Sequence, residues 1–203
     1  MPIRQTQPET RQLDLLGGSI ASTELHRLFF ALMPDDTTRA RLAAAAEALR
    51  ASHSGLRARW INPSRYHATL HFLGDHAALR PTLVDGAIAA ADKIHAAPFA
   101  WTLDNASSFR GREPPCVLRG GEVPTPMEQL WQALRHALAL AGQAGHLERN
   151  FTPHVTLAYS HGTMLEPAAI APVTWQVTDF VLVHNVVGQG SYQILGRWRM
   201  ADS

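Results

Sequence analysis

Two segments of one pattern, His67-Ala68-Thr69-Leu70 and His154-Val155-Thr156-Leu157, stand one in each half of this 203-residue chain. Each reads as part of a β-strand. Successive side chains of a strand point to opposite faces, so the His and Thr of each segment share one face and the Leu takes the other. A chain carrying two such strands has two leucine faces to bury and two polar faces to place. An α+β fold meets both demands. It has two antiparallel sheets related by an approximate two-fold, helices outside, and a central groove where the His-Thr faces meet.

The remaining pattern fits that outline. Arg27 to Met33 is a short apolar run and predicts a buried strand. Pro34-Asp35-Asp36 opens a helix that runs through an alanine-rich stretch to about Ala51. Trp60-Ile61 is extended before Pro63, and Tyr66 to Leu73 is the first motif strand. A helix over Ala77–Ala96 and a strand over Phe99–Leu103 follow, then a loop from Asn105 to Pro115 and a short strand at Val117-Leu118. Leu130, Trp131, Leu134 and Leu138 recur at helical spacing after Pro124-Thr125-Pro126. His154 to Tyr159 is the second motif strand. Trp175 to Val187 reads as one long strand, turned back at Gly188-Gln189-Gly190 into Tyr192–Met200. Residues 1–25 are polar and are expected to be a flexible tail, with residues 26–203 forming a single two-lobed domain.

Composition narrows the function. Lys plus Arg (18) nearly balances Asp plus Glu (17), so any nucleic-acid contact must be local rather than a general basic face. The single cysteine, Cys116, excludes an internal disulfide and reads as a buried small hydrophobe. No apolar run is long enough to span a bilayer and no export signal is visible, so a cytoplasmic monomer is expected, with no membrane partner.

Imidazole is the side chain best matched to proton transfer near neutral pH. A neutral His67 or His154 could take a proton from water, and a protonated one could give a proton to a leaving oxygen. The hydroxyls of Thr69 and Thr156 could donate to phosphate oxygens as charge develops there. A single such motif is a weak signal; two in equivalent places are a strong one. No third and fourth ligand stands at zinc spacing, and no Gly-x-Ser-x-Gly or nucleotide-phosphate loop is present, so no metal and no cofactor are expected.

These residues resemble a known family, the two-histidine phosphoesterases, and within it the RNA 2',3'-cyclic phosphodiesterases once named 2'-5' RNA ligases. The likeness covers roughly Arg27 to Met200. It rests on Arg27-Leu-Phe-Phe-Ala-Leu, Trp60-Ile-Asn-Pro63, His67-Ala-Thr-Leu-His-Phe-Leu-Gly74, Phe151-Thr-Pro-His-Val-Thr-Leu-Ala158 and Tyr192-Gln-Ile-Leu-Gly-Arg-Trp198. The resemblance implies two lobes around a V-shaped groove, His67 and His154 as the catalytic pair, and Thr69 and Thr156 on the phosphate. His154 is assigned as base and His67 as acid. The expected substrates are RNA ends, with small cyclic nucleotides or 2'-5' oligonucleotides as the alternative. A non-catalytic RNA-end binding module is a third reading. Two departures thin the positive charge that the family places by the phosphate: Thr152 and Tyr159 stand where basic residues are common. Arg149 or His161 could compensate, and Arg57, Arg59 and Arg65 could form a basic rim. Tyr159 and Phe72 are further candidate contacts, although Phe72 is assigned first to core packing.

Overall fold

The computed structural model describes residues 24–201, so nearly all of the expected tail lies outside the described residues. In chain order the described residues form β1 (His26–Leu32), α1 (Asp36–Ser52), β2 (Ala58–Trp60), β3 (Ala68–His76), α2 (Pro81–Ala91), β4 (Phe99–Ser108), β5 (Pro115–Arg119), α3 (Thr125–Leu140), β6 (Val155–Ser160), β7 (Ala168–Val177), β8 (Asp179–Val186) and β9 (Gln193–Arg199).

The strands are antiparallel and follow the order β7-β4-β5-β6-β3-β1-β8-β9. This path has a seam. β3 and β6 are joined at one residue pair, Ala68 with Val155. On one side lie β3-β1-β8-β9 and on the other β6-β5-β4-β7, and in each half a helix-containing connection leads to the motif strand. The two expected sheets are therefore continuous through a single bridge. Beyond that bridge β2 takes over the same edge of β6, pairing Arg59 with Tyr159 and Trp60 with Ala158.

Local chemistry accounts for the elements. Asp35 caps α1, its carboxylate accepting from the Thr38 amide at 2.6 Å. Leu42, Ala46 and Leu49 turn the apolar stripe of α1 inward. α3 buries Leu130, Trp131, Leu134 and Leu138, the stripe read from the sequence, and Met127 with them, and the chain turns away at Gly142, φ +75°. Leu70, Leu157 and Cys116 all lie in the one main core.

Several boundaries differ from expectation. The run from Trp175 to Val187 is two strands, broken at Thr178. Its first part is the end of β7, an edge strand in which Ala171 and Pro172 are both exposed and hide the alternation. β4 continues through Ser108, because β5 and β7 pair with the Ser- and Asn-containing stretch assigned to a loop. α2 is shorter than expected, Pro81–Ala91, starting at the proline.

The motif strands are bent in the same way. Ala31 faces Thr69 while Phe30 faces His71, leaving Leu70 as an extra residue. Val117 faces Thr156 while Cys116 faces Ala158, leaving Leu157 as an extra residue. A bulge of this kind re-aims every side chain beyond it. β3 has a second one, since Arg27 faces Asp75 and Phe29 faces Phe72, with Gly74 at φ +107° beside it.

Candidate active site

His67 and His154 each sit one residue before their strand, not within it. They are the residues preceding Ala68 and Val155, the bridging pair. In an antiparallel ladder, continuing that register by one sets His67 opposite Thr156 and Thr69 opposite His154. All four side chains line one groove of about 1030 Å³. The arrangement is that of an approximate two-fold passing between Ala68 and Val155.

Each ring is oriented by its own backbone. The Nδ1–H of His67 donates to the Arg65 carbonyl at 2.8 Å, and that of His154 donates to the Thr152 carbonyl at 2.8 Å. With Nδ1 engaged as donor, the neutral tautomer leaves each Nε2 as an acceptor. Phe29 (5.1 Å between ring centroids) and Tyr192 (5.5 Å, edge-on) hold the His67 ring, while Phe109 (4.9 Å, edge-on) holds that of His154.

Burial sets the protonation of both. Desolvation pushes His67 down to about 4, the Arg65 carbonyl opposes it, and the His154 and Arg65 charges add to it. His154 is lowered as well, by desolvation first and then by Arg119, against the Thr152 carbonyl. Both imidazoles are therefore neutral at pH 7 in the free protein. An anion bound between them acts in the opposite sense and favours protonation.

The bulges decide what surrounds the pairs. Strict alternation would put His71 in the groove and Phe72 in the core. The bulge at Leu70 reverses this: His71 is 1% exposed and Phe72 lines the groove. Phe72 is half-buried: it lines the groove and also packs against the smaller apolar cluster of Phe29, Ala31, Val181 and Val183, not the main core. The matching bulge at Leu157 brings Tyr159 to the groove by the same displacement. Each aromatic ring carries an arginine, Arg27 over Phe72 at 5.7 Å and Arg59 over Tyr159 at 5.1 Å.

Positive charge comes from sources other than those first considered. Arg149 is exposed and stands outside the groove lining, as does His161, whose backbone N–H donates to the Arg57 carbonyl. Arg59 and Arg65 line the groove, whereas Arg57 does not. Arg59 reaches it because β2 pairs with β6 directly across from Tyr159. A cation from the neighbouring strand thus stands over the position where this chain lacks one. Arg65 lies over Tyr192 at 4.8 Å. Sequence reasoning missed Arg27, Asn185 and Tyr192, which reach the groove from β1, β8 and the segment before β9. The family-like segments that begin at Arg27 and Tyr192 hinted at two of them, and nothing pointed to Asn185. Among the described residues no cluster of three or more His, Cys, Asp or Glu gathers as metal ligands.

The family described as "LigT like Phosphoesterase" matches residues 32–118, a span that contains the first motif. The solved structure of apo LigT from E. coli superposes with a TM-score of 0.70 at 27% identity, covering 88% of this chain and 99% of LigT. The complex of E. coli LigT with 3'-AMP matches equally well, at 27% identity over 88% of this chain and all of the other. This chain is thus similar to the LigT-like phosphoesterases, in sequence over residues 32–118 and in fold over most of its length. The second motif lies outside the matched span but inside the superposed fold, and its geometry repeats that of the first. The chain also shares its fold with TT0787 of Thermus thermophilus, with a TM-score of 0.68 at 23% identity over 86% of this chain and 97% of that one. No curated protein sequence matches it. No helix among the described residues is long and apolar enough to cross a membrane.

Proposed function

We propose that this phosphoesterase opens 2',3'-cyclic phosphates at RNA ends to 2'-phosphates, with His67 and His154 as its proton-transfer pair. The observation that carries the reading is the two-fold arrangement of the His-Thr pairs, with each Nδ1 tied to its own backbone. In-line displacement at phosphorus needs a proton acceptor on one side and a proton donor on the other. His154 Nε2 takes a proton from the attacking water, the new P–O bond forms, and the P–O3' bond breaks. His67 Nε2–H supplies the proton that the 3'-oxygen needs on leaving. Thr69 and Thr156 donate to the non-bridging oxygens as charge builds there. For His67 to be the acid, the phosphate anion must raise its pKa on binding. With an RNA 5'-hydroxyl in place of water, the same groups would join ends through a 2'-5' bond, P–O5' forming as P–O3' breaks.

A nucleotide substrate fits the solved E. coli LigT complexes, which include 3'-AMP and ATP. The aromatic and arginine surfaces on both sides of the groove suit bases and phosphates. The test is a short RNA ending in a 2',3'-cyclic phosphate, incubated with protein and EDTA, with products resolved as 2'- or 3'-phosphates. The expected product is the 2'-phosphate, lost in His67→Ala and His154→Ala. Turnover that survives both substitutions, or that EDTA abolishes, contradicts the mechanism. Binding without turnover would instead indicate an RNA-end binding module.

A further inference from the structure

Two arginines, Arg59 and Arg57, follow one another along the β2 edge of the groove and past it. β2 pairs with β6 by Trp60 with Ala158, Arg59 with Tyr159 and Ala58 with Ser160. The ladder runs one pair further, where the His161 N–H donates to the Arg57 carbonyl at 2.8 Å. Side chains alternate along such a ladder. Ala58 and Trp60 pack against the main core, so Arg59 and Arg57 take the opposite face, Arg59 over Tyr159 and Arg57 across from His161. Arg59 lines the groove. Arg57 is exposed one step beyond it, about 7 Å further by strand rise.

Neither charge is neutralised by a carboxylate. The ion pairs among the described residues join Arg27 to Asp75, Arg39 to Asp36, Arg50 to Glu47 and Arg197 to Asp179. Arg110 and Arg112, exposed on the connection from β4 to β5, take part in none of them either. That connection lies on the other side of β6, since the Ser160 N–H donates to the Pro114 carbonyl at 2.9 Å, and its one acid is Glu113. In a chain whose charges nearly balance, this end of the second half carries a local excess of unpaired cations. Its place relative to the chemistry indicates the ligand. His67 gives its proton to the departing 3'-oxygen, so the ribose lies on the His67 side of the phosphate. Thr156 stands opposite His67, and along β6 Tyr159 and then His161 follow on that side. Tyr159 is three residues from Thr156, on the order of 7–10 Å from the phosphate position by strand rise. A chain that continues from the terminal ribose through its 5'-oxygen therefore meets Arg59 first and Arg57 next. The anions repeated along such a chain are internucleotide phosphates, which a small cyclic nucleotide lacks.

We propose that the RNA strand leading to the cyclic end leaves the groove along β2 and β6, with its internucleotide phosphates on Arg59 and then on Arg57. Guanidinium N–H groups hold phosphate oxygens through charge-assisted hydrogen bonds. This track rests on the phosphoesterase reading above and deepens it, because it makes the substrate an RNA chain rather than a cyclic mononucleotide. Arg57 binds the strand away from the reacting phosphate and moves no proton.

The experiment measures kcat/KM at low salt for adenosine 2',3'-cyclic phosphate and for an adenosine trinucleotide with the same cyclic end, on wild type, Arg57→Ala and Arg57→Glu. Wild type is expected to favour the trinucleotide, and raising the salt should shrink that preference, as counterion release requires. Arg57→Ala is expected to lower the ratio of trinucleotide to mononucleotide roughly fivefold, the upper value for an exposed ion pair, and Arg57→Glu to lower it further. A misfolded fraction slows both substrates alike, so the ratio reads the strand contact and not the yield of folded protein. A wild-type ratio near one overturns the track and favours the small cyclic nucleotides. A ratio that neither substitution moves also overturns it. Failure of wild type on both substrates sinks the underlying enzyme reading instead, and the track with it.

Discussion

At the scale of the residue, the proposed chemistry rests on two imidazoles in one groove, which also make it sensitive to pH. Burial holds His67 near 4 and lowers His154 too, so little of the required protonated form exists in the free protein at pH 7. The ratio kcat/KM reports the free protein and kcat reports the bound one. The optimum of kcat/KM is therefore expected below pH 6.5, falling on the alkaline side, while the kcat profile moves to higher pH as the bound phosphate raises the pair. A kcat/KM profile flat from pH 5 to 9 would count against paired proton transfer. Arg59 belongs to the same scale. Removing it by Arg59→Ala should raise KM about tenfold, the worth of one charge-assisted hydrogen bond, with kcat little changed. Arg149→Ala should alter neither constant, since Arg149 stands outside the groove; steady-state kinetics of the two variants decides this.

At the scale of the element, the repeated bulge is the device that builds the site. It places Phe72 and Tyr159 in the groove and sends His71 into the interior. The second bulge of β3 depends on Gly74, whose φ of +107° suits only glycine and whose added Cβ would stand 2.8 Å from the His146 ring. Gly74→Ala is expected to destabilise the protein by more than about 1 kcal/mol, read as a lower Tm, and to raise KM as Phe72 and Arg27 shift. A variant with unchanged Tm and KM would separate the bulge from the site. The bulges also explain what was legible in the sequence. Both His-Thr pairs, their shared face and the inward Leu70 and Leu157 followed from period two. Phe72 did not, because strand alternation carries no sign of an extra residue. Arg59 had been noted only as part of a general rim, since its place beside Tyr159 depends on β2 pairing with β6, a long-range contact that local pattern does not encode. β7 was missed for a similar reason: an edge strand need not alternate cleanly when one of its faces meets solvent.

At the scale of the whole molecule, the two halves are joined by the single β3–β6 residue pair and the short β2–β6 ladder, and further contacts brace them. One brace is a ring stack in which His71 of β3 lies against Trp131 of α3 at 5.1 Å, and Trp131 against Phe151 at 5.1 Å. Two hydrogen bonds lock it: the Trp131 indole N–H donates to the Leu70 carbonyl at 3.0 Å, and the His71 Nε2–H donates to the Trp131 carbonyl at 2.9 Å. Desolvation pushes His71 down to about 4. The unfolded chain, with an ordinary histidine near 6.5, takes up that proton first, so stability falls as pH drops from about 6.5 to about 4 and then levels. His71→Gln should make the Tm less dependent on pH in that window; an unaltered dependence would show that His71 does not set it. Trp131→Ala should cost about 3–5 kcal/mol, as for other buried aromatics, and should loosen the groove as well as the core.

The central claim is that the two halves bring His67 and His154 together as one catalytic unit, and a double-mutant cycle tests it most directly. The kcat/KM of wild type, His67→Ala, His154→Ala and the double variant would be measured on one RNA 2',3'-cyclic phosphate. Groups that act as a unit are strongly non-additive. The account predicts a loss of about 10²–10⁴-fold for each single substitution and a double variant no slower than about the worse of the two. Independent losses that multiply in the double variant, or full activity in either single one, would contradict it.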